Sequence, residues 1–92
     1  MAIAGFWHKG LRELFETGRS GRVSKPLHAA SILILDRLDA IASPADCQGV
    51  RGFHPMKGDR KGTFAMRVTG NWRMTFRWEA GSVVDIDLED YH

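Results

Sequence analysis

The sequence has little cysteine, no long apolar run, and no low-complexity or repeated segment. Its single cysteine, Cys47, cannot form an internal disulfide, and there is no CxxC pair of the kind that holds zinc or runs redox chemistry. The longest apolar run, residues 32–35, is far too short to cross a bilayer, and residues 1–8 lack the pattern of a secretory signal. We therefore expect a cytoplasmic protein that is neither secreted nor membrane-spanning.

The size of the chain limits the kind of site that it can build. With 92 residues, of which 43% are hydrophobic and 26% charged, it has the composition of an ordinary globular protein, and we predict a single domain over residues 1–92. A domain this small buries only roughly 60% of its unfolded surface, so most apolar residues are needed for the core. We therefore expect a shallow active surface, and we predict no cofactor.

Charge is distributed unevenly along the chain, although the net charge is only +2. Residues 51–77 contain seven basic residues and one acid, a local charge of +6, whereas residues 79–92 contain five acids and no lysine or arginine. This pattern is typical of a phosphate-facing surface with acids placed beside it. A sheet whose strands are joined by salt bridges would account for this charge distribution equally well.

Hydrophobic periodicity predicts an α+β domain, in which a short N-terminal strand and two helices accompany a twisted antiparallel sheet of about four strands. Residues 2–6 suit the short strand. Residues 8–16 suit a helix that stops at Gly18, and a second helix is expected from Ser24 to Ser43. From Gly62 the period becomes two, which predicts strands over 64–69, 72–78 and 84–88.

The strand registers follow from keeping apolar residues on one face. With residues 69–71 as a loop, the predicted pairs are Phe64 with Phe76, Met66 with Met74, and Val68 with Trp72. With residues 79–81 as a loop, they are Trp78 with Ser82, Phe76 with Val84, Met74 with Ile86, and Trp72 with Leu88. On the opposite face these registers set Arg67 against Arg73, Thr75 against Asp85, and Arg73 against Asp87.

The predicted opposition of Arg67 and Arg73 is unfavourable unless an anion joins them. Like charges directly opposed destabilise a sheet, here by on the order of 1 kcal/mol after solvent screening. A phosphate between the two guanidinium groups would turn the repulsion into attraction. Alternatively, Asp87 neutralises Arg73 and Arg67 points to water.

Two segments carry groups suited to RNA cleavage. Residues 54–62 are expected to form a loop that brings His54, Lys57 and Lys61 toward the basic face, and the sequence ends in Asp90-Tyr91-His92. Metal-free cleavage needs a base, an acid and cations, and histidine suits either proton role. A metal site made by the two histidines and the aspartate is disfavoured, because no HxH or HExxH spacing is present.

The aromatic residues and the strand parity leave two questions open. Tyr91 is the favoured base-stacking residue, since Trp72 and Trp78 have the parity of the core, while Trp7 is a further candidate. Parity also places Asp90 and His92 on the apolar side of the last strand, and Tyr91 on the side of Asp87, if that strand runs straight. A twist or bulge near its end could bring all three to the basic face.

Several separated blocks resemble the HigB-like killer proteins of the RelE/ParE toxin superfamily along nearly the whole chain. They are His8-Lys-Gly-Leu11 with Leu14-Phe15, residues 54–60 with Gly62, Arg67-Val68, Asn71-Trp-Arg73 with Phe76 and Trp78, and the terminal Asp90-Tyr-His92. The resemblance implies a type II toxin of RelE-like fold that cuts messenger RNA in the ribosomal A site without metal. Its implied partners are the ribosome, mRNA and a HigA-like helix-turn-helix antitoxin, which joins the otherwise monomeric toxin in a hetero-oligomer.

The resemblance also assigns site residues by position. The implied catalytic residues are His54, Lys57, Arg73, Asp90, Tyr91 and His92, and the implied RNA or phosphate contacts are Arg60, Lys61, Arg67 and Arg77. Asp90 or His92 would carry protons, His54 is a second candidate for that role, and Lys57 with Arg73 would stabilise charge. Two alternatives stay open: a non-catalytic toxin of the same fold that acts on another protein, and an inactive RNA-binding or antitoxin-sequestering module.

Overall fold

The computed structural model describes residues 2–90, which form two helices and a four-stranded antiparallel sheet. The helices are α1 (Lys9–Thr17) and α2 (His28–Ala40), and the strands are β1 (His54–Pro55), β2 (Thr63–Thr69), β3 (Trp72–Glu79) and β4 (Ser82–Asp90), in the sheet order β1-β2-β3-β4. Three 3-10 turns span Lys25–Leu27, Pro44–Cys47 and Gly58–Arg60. The predicted α+β class is confirmed, and none of the helices in residues 2–90 has the length and apolar character to cross a membrane.

Helix α1 begins and ends where the sequence predicts. The Nδ1 atom of His8 accepts a hydrogen bond from the Leu11 N–H at 3.2 Å, which caps the N-terminus. At the other end Gly18, with φ of 84°, donates its N–H to the Leu14 carbonyl at 2.9 Å. The expected start of the second helix at Ser24 is instead a 3-10 turn that contains Pro26 and leads into α2.

The N-terminal segment lies where the short strand was expected, but it does not form a regular strand. It makes two isolated parallel bridges to β4, from Ile3 to Val83 and from Phe6 to Ile86. The ladder breaks between them because β4 bulges at Asp85. The segment therefore follows β4 as an irregular edge.

The core fills the space between the helices and one face of the sheet. Phe53, Phe64 and Phe76 stack there, with ring centroids 5.4 Å apart for the first two and 5.6 Å apart for the last two. Leu11, Leu35 and Leu38 on the helices are fully buried against this face. Trp72 and Trp78 are partly buried against the same core, which confirms their core assignment.

The register of the hairpin between β2 and β3 is confirmed except at its end. Phe64 pairs with Phe76, Met66 with Met74, and Arg67 with Arg73, but Trp72 pairs with Thr69 rather than Val68. The β2 strand bulges there, and Arg51 holds the bulge: its Nε donates to the Arg67 carbonyl at 2.8 Å and its Nη2 to the Val68 carbonyl at 2.5 Å. The guanidinium group of Arg51 therefore binds backbone carbonyls and does not contribute to the basic face.

The predicted register of the hairpin between β3 and β4 is wrong. The loop has two residues, Ala80 and Gly81, which both have positive φ, because this turn geometry suits the right-handed twist of the strands. A β-bulge follows, in which Asp85, with φ of 54°, and Ile86 together lie opposite Phe76. The observed pairs are Trp78 with Val83, Arg77 with Val84, Thr75 with Asp87, Met74 with Leu88, Arg73 with Glu89, and Trp72 with Asp90.

Candidate active site

The sheet face that points away from the helices carries most of the predicted site, and we call it the open face. One row of cross-strand neighbours runs over it from His54 on β1 through Ala65 and Thr75 to Asp87 on β4. The two central residues of this row are buried, Ala65 at 0% and Thr75 at 2% exposure. The polar side chains around that centre are Thr63, Arg67, Arg73, Arg77 and Glu89.

Arg67 and Arg73 face each other across β2 and β3, as the sequence predicts. Arg67 is exposed, and within residues 2–90 its side chain makes no hydrogen bond or ion pair. The Nη1 atom of Arg73 donates to the Gly70 carbonyl at 3.0 Å and to the Trp72 carbonyl at 3.2 Å. The β2–β3 turn therefore orients one guanidinium group, while the other extends into solvent and can receive an anion.

Glu89, and not Asp87, is the acid opposite Arg73, because the two-residue turn and the bulge at Asp85 each shift the register by one residue. Both of its carboxylate oxygens are held by Arg60: Nη1 donates to Oε1 and Nη2 to Oε2, each at 2.6 Å. The buried Thr75 hydroxyl also donates to Oε2 at 2.7 Å. We call this network the Arg60–Glu89 clamp.

The clamp fixes both the charge of Glu89 and the position of the Gly58–Arg60 turn. The hydrogen bonds from Arg60 lower the pKa of Glu89, the Thr75 hydroxyl adds to this, and the partial burial of the carboxyl opposes it. Glu89 is therefore a carboxylate with both oxygens occupied. Because Lys57 and Lys61 flank the Gly58–Arg60 turn, the clamp ties this lysine-bearing segment to β4.

The other basic residues of the predicted site are Lys57, Lys61 and Arg77. Lys57 and Lys61 are exposed, and neither makes an ion pair within residues 2–90. Arg77 lies on the open face beside Gly62, with its Nε at 3.8 Å from Glu79 Oε1 and 3.9 Å from Asp85 Oδ2. These long, exposed ion pairs leave Arg77 able to exchange partners.

His54 stands at the β1 edge of the open face with its ring exposed, rather than in a loop. Its Nδ1 atom lies 2.9 Å from the Gly52 carbonyl oxygen. Since a carbonyl oxygen only accepts, Nδ1 carries the hydrogen, and a neutral ring then presents Nε2 as a proton acceptor. The other two histidines of residues 2–90 serve local structure, because His8 caps α1 and His28 bonds to the Val23 carbonyl.

Asp90 ends the described part of the chain, opposite Trp72 and exposed. Its parity is that of Leu88, so the bulge at Asp85, which precedes both, does not move it to the open face. The predicted catalytic residues Tyr91 and His92 lie outside the described residues. Among residues 2–90 no group of three His, Cys, Asp or Glu side chains is arranged to hold a metal ion.

Sequence reasoning missed Glu89 and Thr75, which hold the clamp. The signal was present, since Glu89 belongs to the acidic set of the last strand. Its role became visible only with the two-residue turn and the bulge, which together replace Asp87 by Glu89 opposite Arg73.

The open face combines groups that suit acid–base chemistry on a phosphodiester. It presents cations that can bind a phosphate, a histidine with an available ring nitrogen, and a fixed carboxylate that keeps the cation-bearing turn in place. The surface is shallow, as the small size of the domain requires. A flexible, exposed strand of nucleic acid fits it better than a small molecule that needs a deep pocket.

Comparison with known proteins identifies the family of the chain. A family model of the HigB-like toxin, described as the RelE-like toxin HigB of type II toxin–antitoxin systems, matches residues 4–92. The endoribonuclease HigB of Proteus vulgaris is 38% identical over 95 residues, which cover 98% of this chain and 99% of that protein. The chain therefore belongs to the HigB-like family of RelE-like toxins of type II toxin–antitoxin systems.

Proposed function

We propose that this toxin is an endoribonuclease that cuts messenger RNA on the open face. The observation that carries the proposal is the direct opposition of Arg67 and Arg73 beside the row that begins at His54. Two like charges placed together on a sheet are unfavourable alone and favourable with a phosphate between them. The full-length similarity to a named endoribonuclease supports the same activity.

The proposed chemistry is attack of the RNA 2′-hydroxyl on the adjacent phosphorus without a metal ion. A base removes the 2′ proton, an acid protonates the departing 5′-oxygen, and a 2′,3′-cyclic phosphate forms. Asp90, which lies at the end of β4 and not on the open face itself, or His92 carries one proton. His54, at the edge of the open face, is the second candidate through its Nε2 atom. Arg73 and Lys57, with Tyr91, complete the catalytic group, and the cations stabilise the charge that grows on the phosphate.

The proposed RNA contacts have different tasks. Arg67 and Lys61 bind phosphates of the strand directly, because their charges face solvent. Arg60 acts through the clamp. Arg77 lies on the open face toward the other end of β3 from Arg73. This division predicts that charge reversal at Arg67 weakens binding, whereas loss of Arg60 also moves the turn.

The proposed setting is the cytoplasmic ribosome, and the proposed regulator is a HigA-like helix-turn-helix antitoxin. The family assignment supports an antitoxin partner. The shallow site of the toxin suits RNA that the ribosome already holds extended, because the described part of the domain has no deep groove that could hold a strand alone. A neighbouring reading frame that encodes a small helix-turn-helix protein, and co-purification of the two products, would support this partnership.

The chemistry is tested with ribosomes programmed with two messages that differ only at the cleaved nucleotide. One carries a ribose and the other a 2′-deoxyribose at that position. We expect cleavage of the first message only, with a 2′,3′-cyclic phosphate end, and a loss of about 10²-fold or more in His92→Ala or Asp90→Ala. Equal cleavage of both messages would contradict 2′-hydroxyl attack, and an intact message at high toxin concentration would leave only a binding protein.

A further inference from the structure

Trp7 stands exposed beside the open face although its backbone is fixed. Its side chain is 73% exposed, and it and Leu33 are the exposed large hydrophobic residues of the described chain. The backbone N–H groups of Trp7 and His8 both donate to the Ile86 carbonyl, at 2.9 and 3.1 Å. The indole is therefore held out from a rigid backbone that is bound to β4.

A cleft of about 140 Å³ lies between this indole and the open face, and we call it the Trp7 cleft. Its wall includes Thr75, Arg77, Asp85 and Asp87, and the Arg60–Glu89 clamp closes one side. A flat aromatic side chain beside a polar floor is the arrangement that single-stranded nucleic acids use for an unstacked base.

Charge in the Trp7 cleft favours a base over a phosphate. Arg60 and Glu89 neutralise each other in the clamp, which leaves the acids Asp59, Asp85 and Asp87 against Arg77. Such a balance repels a phosphate and attracts N–H donors. Asp87 lies beside Trp7 with Oδ1 accepting the Leu88 N–H at 2.8 Å, and within residues 2–90 its Oδ2 makes no hydrogen bond.

We propose that the Trp7 cleft binds a nucleobase of the RNA next to the cleaved bond, with guanine preferred. The base stacks on the indole, and its Watson–Crick edge donates to the Asp87 carboxylate. Guanine presents two adjacent N–H groups to one carboxylate, whereas uracil presents one N–H between two carbonyl oxygens that the carboxylate repels. This inference rests on the proposed function, because it needs RNA on the open face.

The position of the Trp7 cleft suits a flanking nucleotide. Asp87 and Asp90 are three residues apart on β4, which corresponds to about 10 Å along the strand. A strand of RNA whose phosphate lies between Arg67 and Arg73 therefore passes the clamp before a neighbouring base reaches Trp7. The subsite would select sequence without touching the reacting atoms.

Binding of non-cleavable RNA tests the subsite independently of catalysis. A short 2′-O-methyl RNA made of uridine throughout is compared with a series of RNAs of the same length. Each member of the series carries a single guanine at a different position. The proteins are the parent chain, Trp7→Ala, Trp7→Phe, Asp87→Asn, and Leu33→Ala as a matched control that removes the other exposed apolar side chain. Circular dichroism and a thermal scan show that each variant is folded.

The parent chain should bind the guanine RNA more tightly at one position. Trp7→Ala should weaken that binding about 5- to 150-fold, while Trp7→Phe keeps most of the affinity. Asp87→Asn should bind guanine and uracil RNAs nearly equally, and Leu33→Ala should behave as the parent. Because no bond is cut, this result would stand even if the chain proved not to be a nuclease.

Three outcomes would overturn the subsite. Unchanged RNA affinity in folded Trp7→Ala would show that the indole does not stack a base. Equal binding of guanine and uracil RNAs by the parent at every position would refute the role of Asp87. Weakened binding of an antitoxin together with unchanged RNA binding in Trp7→Ala would make the cleft a protein-binding surface instead.

Discussion

Replacement of Glu89 by glutamine should break the Arg60–Glu89 clamp and lower both stability and RNA cleavage. Hydrogen bonds to charged groups contribute about 1.5–3 kcal/mol when buried, and exposed ion pairs about 0–1 kcal/mol. The side chains of Arg60 and Glu89 are 42% and 22% exposed, so an intermediate loss of about 1–2 kcal/mol is expected. For a domain of this size the Tm should fall by about 4 °C or more.

The effect on cleavage should exceed the effect on stability. Loss of the clamp frees the Gly58–Arg60 turn and with it Lys57, and a displacement of about 1 Å at a reacting centre can cost about 10²-fold in rate. We expect cleavage to fall at least about tenfold in folded Glu89→Gln and Arg60→Met. The double variant should lose no more activity than either single variant, since all three break the same contact.

A more exposed ion pair outside the clamp supplies the control. Arg22 and Glu13 approach to 3.5 Å with side chains 62% and 45% exposed, so Arg22→Met and Glu13→Gln should each cost under about 0.5 kcal/mol. Because Arg22 lies beside Trp7 and Asp87, Glu13→Gln is the variant expected to leave cleavage unchanged. A double-mutant cycle measured by urea unfolding should give about 1 kcal/mol of coupling for Arg60 and Glu89. Coupling near zero, together with unchanged cleavage in both single variants, would refute the clamp.

The clamp also predicts how stability depends on pH. The pKa of Glu89 is lowered in the folded chain, so its stabilisation is fully present above the unfolded value of about 4.3 and is lost as the pH falls through the folded value. The Tm difference between the parent and Glu89→Gln should therefore stay constant from pH 7 to about 5. It should shrink below about pH 4, and an unchanged difference there would contradict an ionised Glu89.

Three further substitutions test other parts of the structure. Gly10→Ala should lower the Tm despite the helix preference of alanine, because the new Cβ would lie 2.8 Å from both His8 Cε1 and Val23 Cγ2; a higher Tm would refute this close packing. Asp85→Asn should be nearly neutral and Asp85→Val should cost about 1–2 kcal/mol in urea unfolding, because valine is strained at φ of 54°; equal stabilities would contradict the bulge. Arg67→Ala should reduce by about 1 the slope of log affinity for RNA against log salt, and an unchanged slope would argue against a phosphate contact.

The fold was predictable where local rules and burial agree. Helix α1 has an apolar stripe and a glycine stop, and β2 alternates cleanly, so both were placed within a residue or two. The opposition of Arg67 and Arg73 followed from the same alternation, because Phe64 and Met66 must meet Phe76 and Met74 in the core.

The register of β4 was not predictable from alternation alone. Apolar and acidic residues alternate from Val84 to Leu88, which predicts that Val84 and Ile86 share the buried face. The chain buries Val83 rather than Val84 together with Ile86, because the bulge adds an extra residue between them. Bulges arise from the competition between turn geometry and core packing, and a left-handed aspartate is a weak sequence signal. The ion pair between Arg60 and Glu89 was not predictable either, because Arg60 lies in a turn 29 residues away in the sequence.

Charge reversal on the open face tests the central claim most directly. Single-turnover cleavage of a ribosome-bound message is measured for the parent, Arg67→Glu, Arg73→Glu, and Arg37→Glu as a control at an exposed position of α2, on the other side of the sheet. We predict losses of about 10²-fold or more in the first two variants, in line with the removal of a group that stabilises the transition-state charge, and an unchanged rate in the third. Parent-like rates in folded Arg67→Glu and Arg73→Glu would show that the open face does not bind the RNA that is cut.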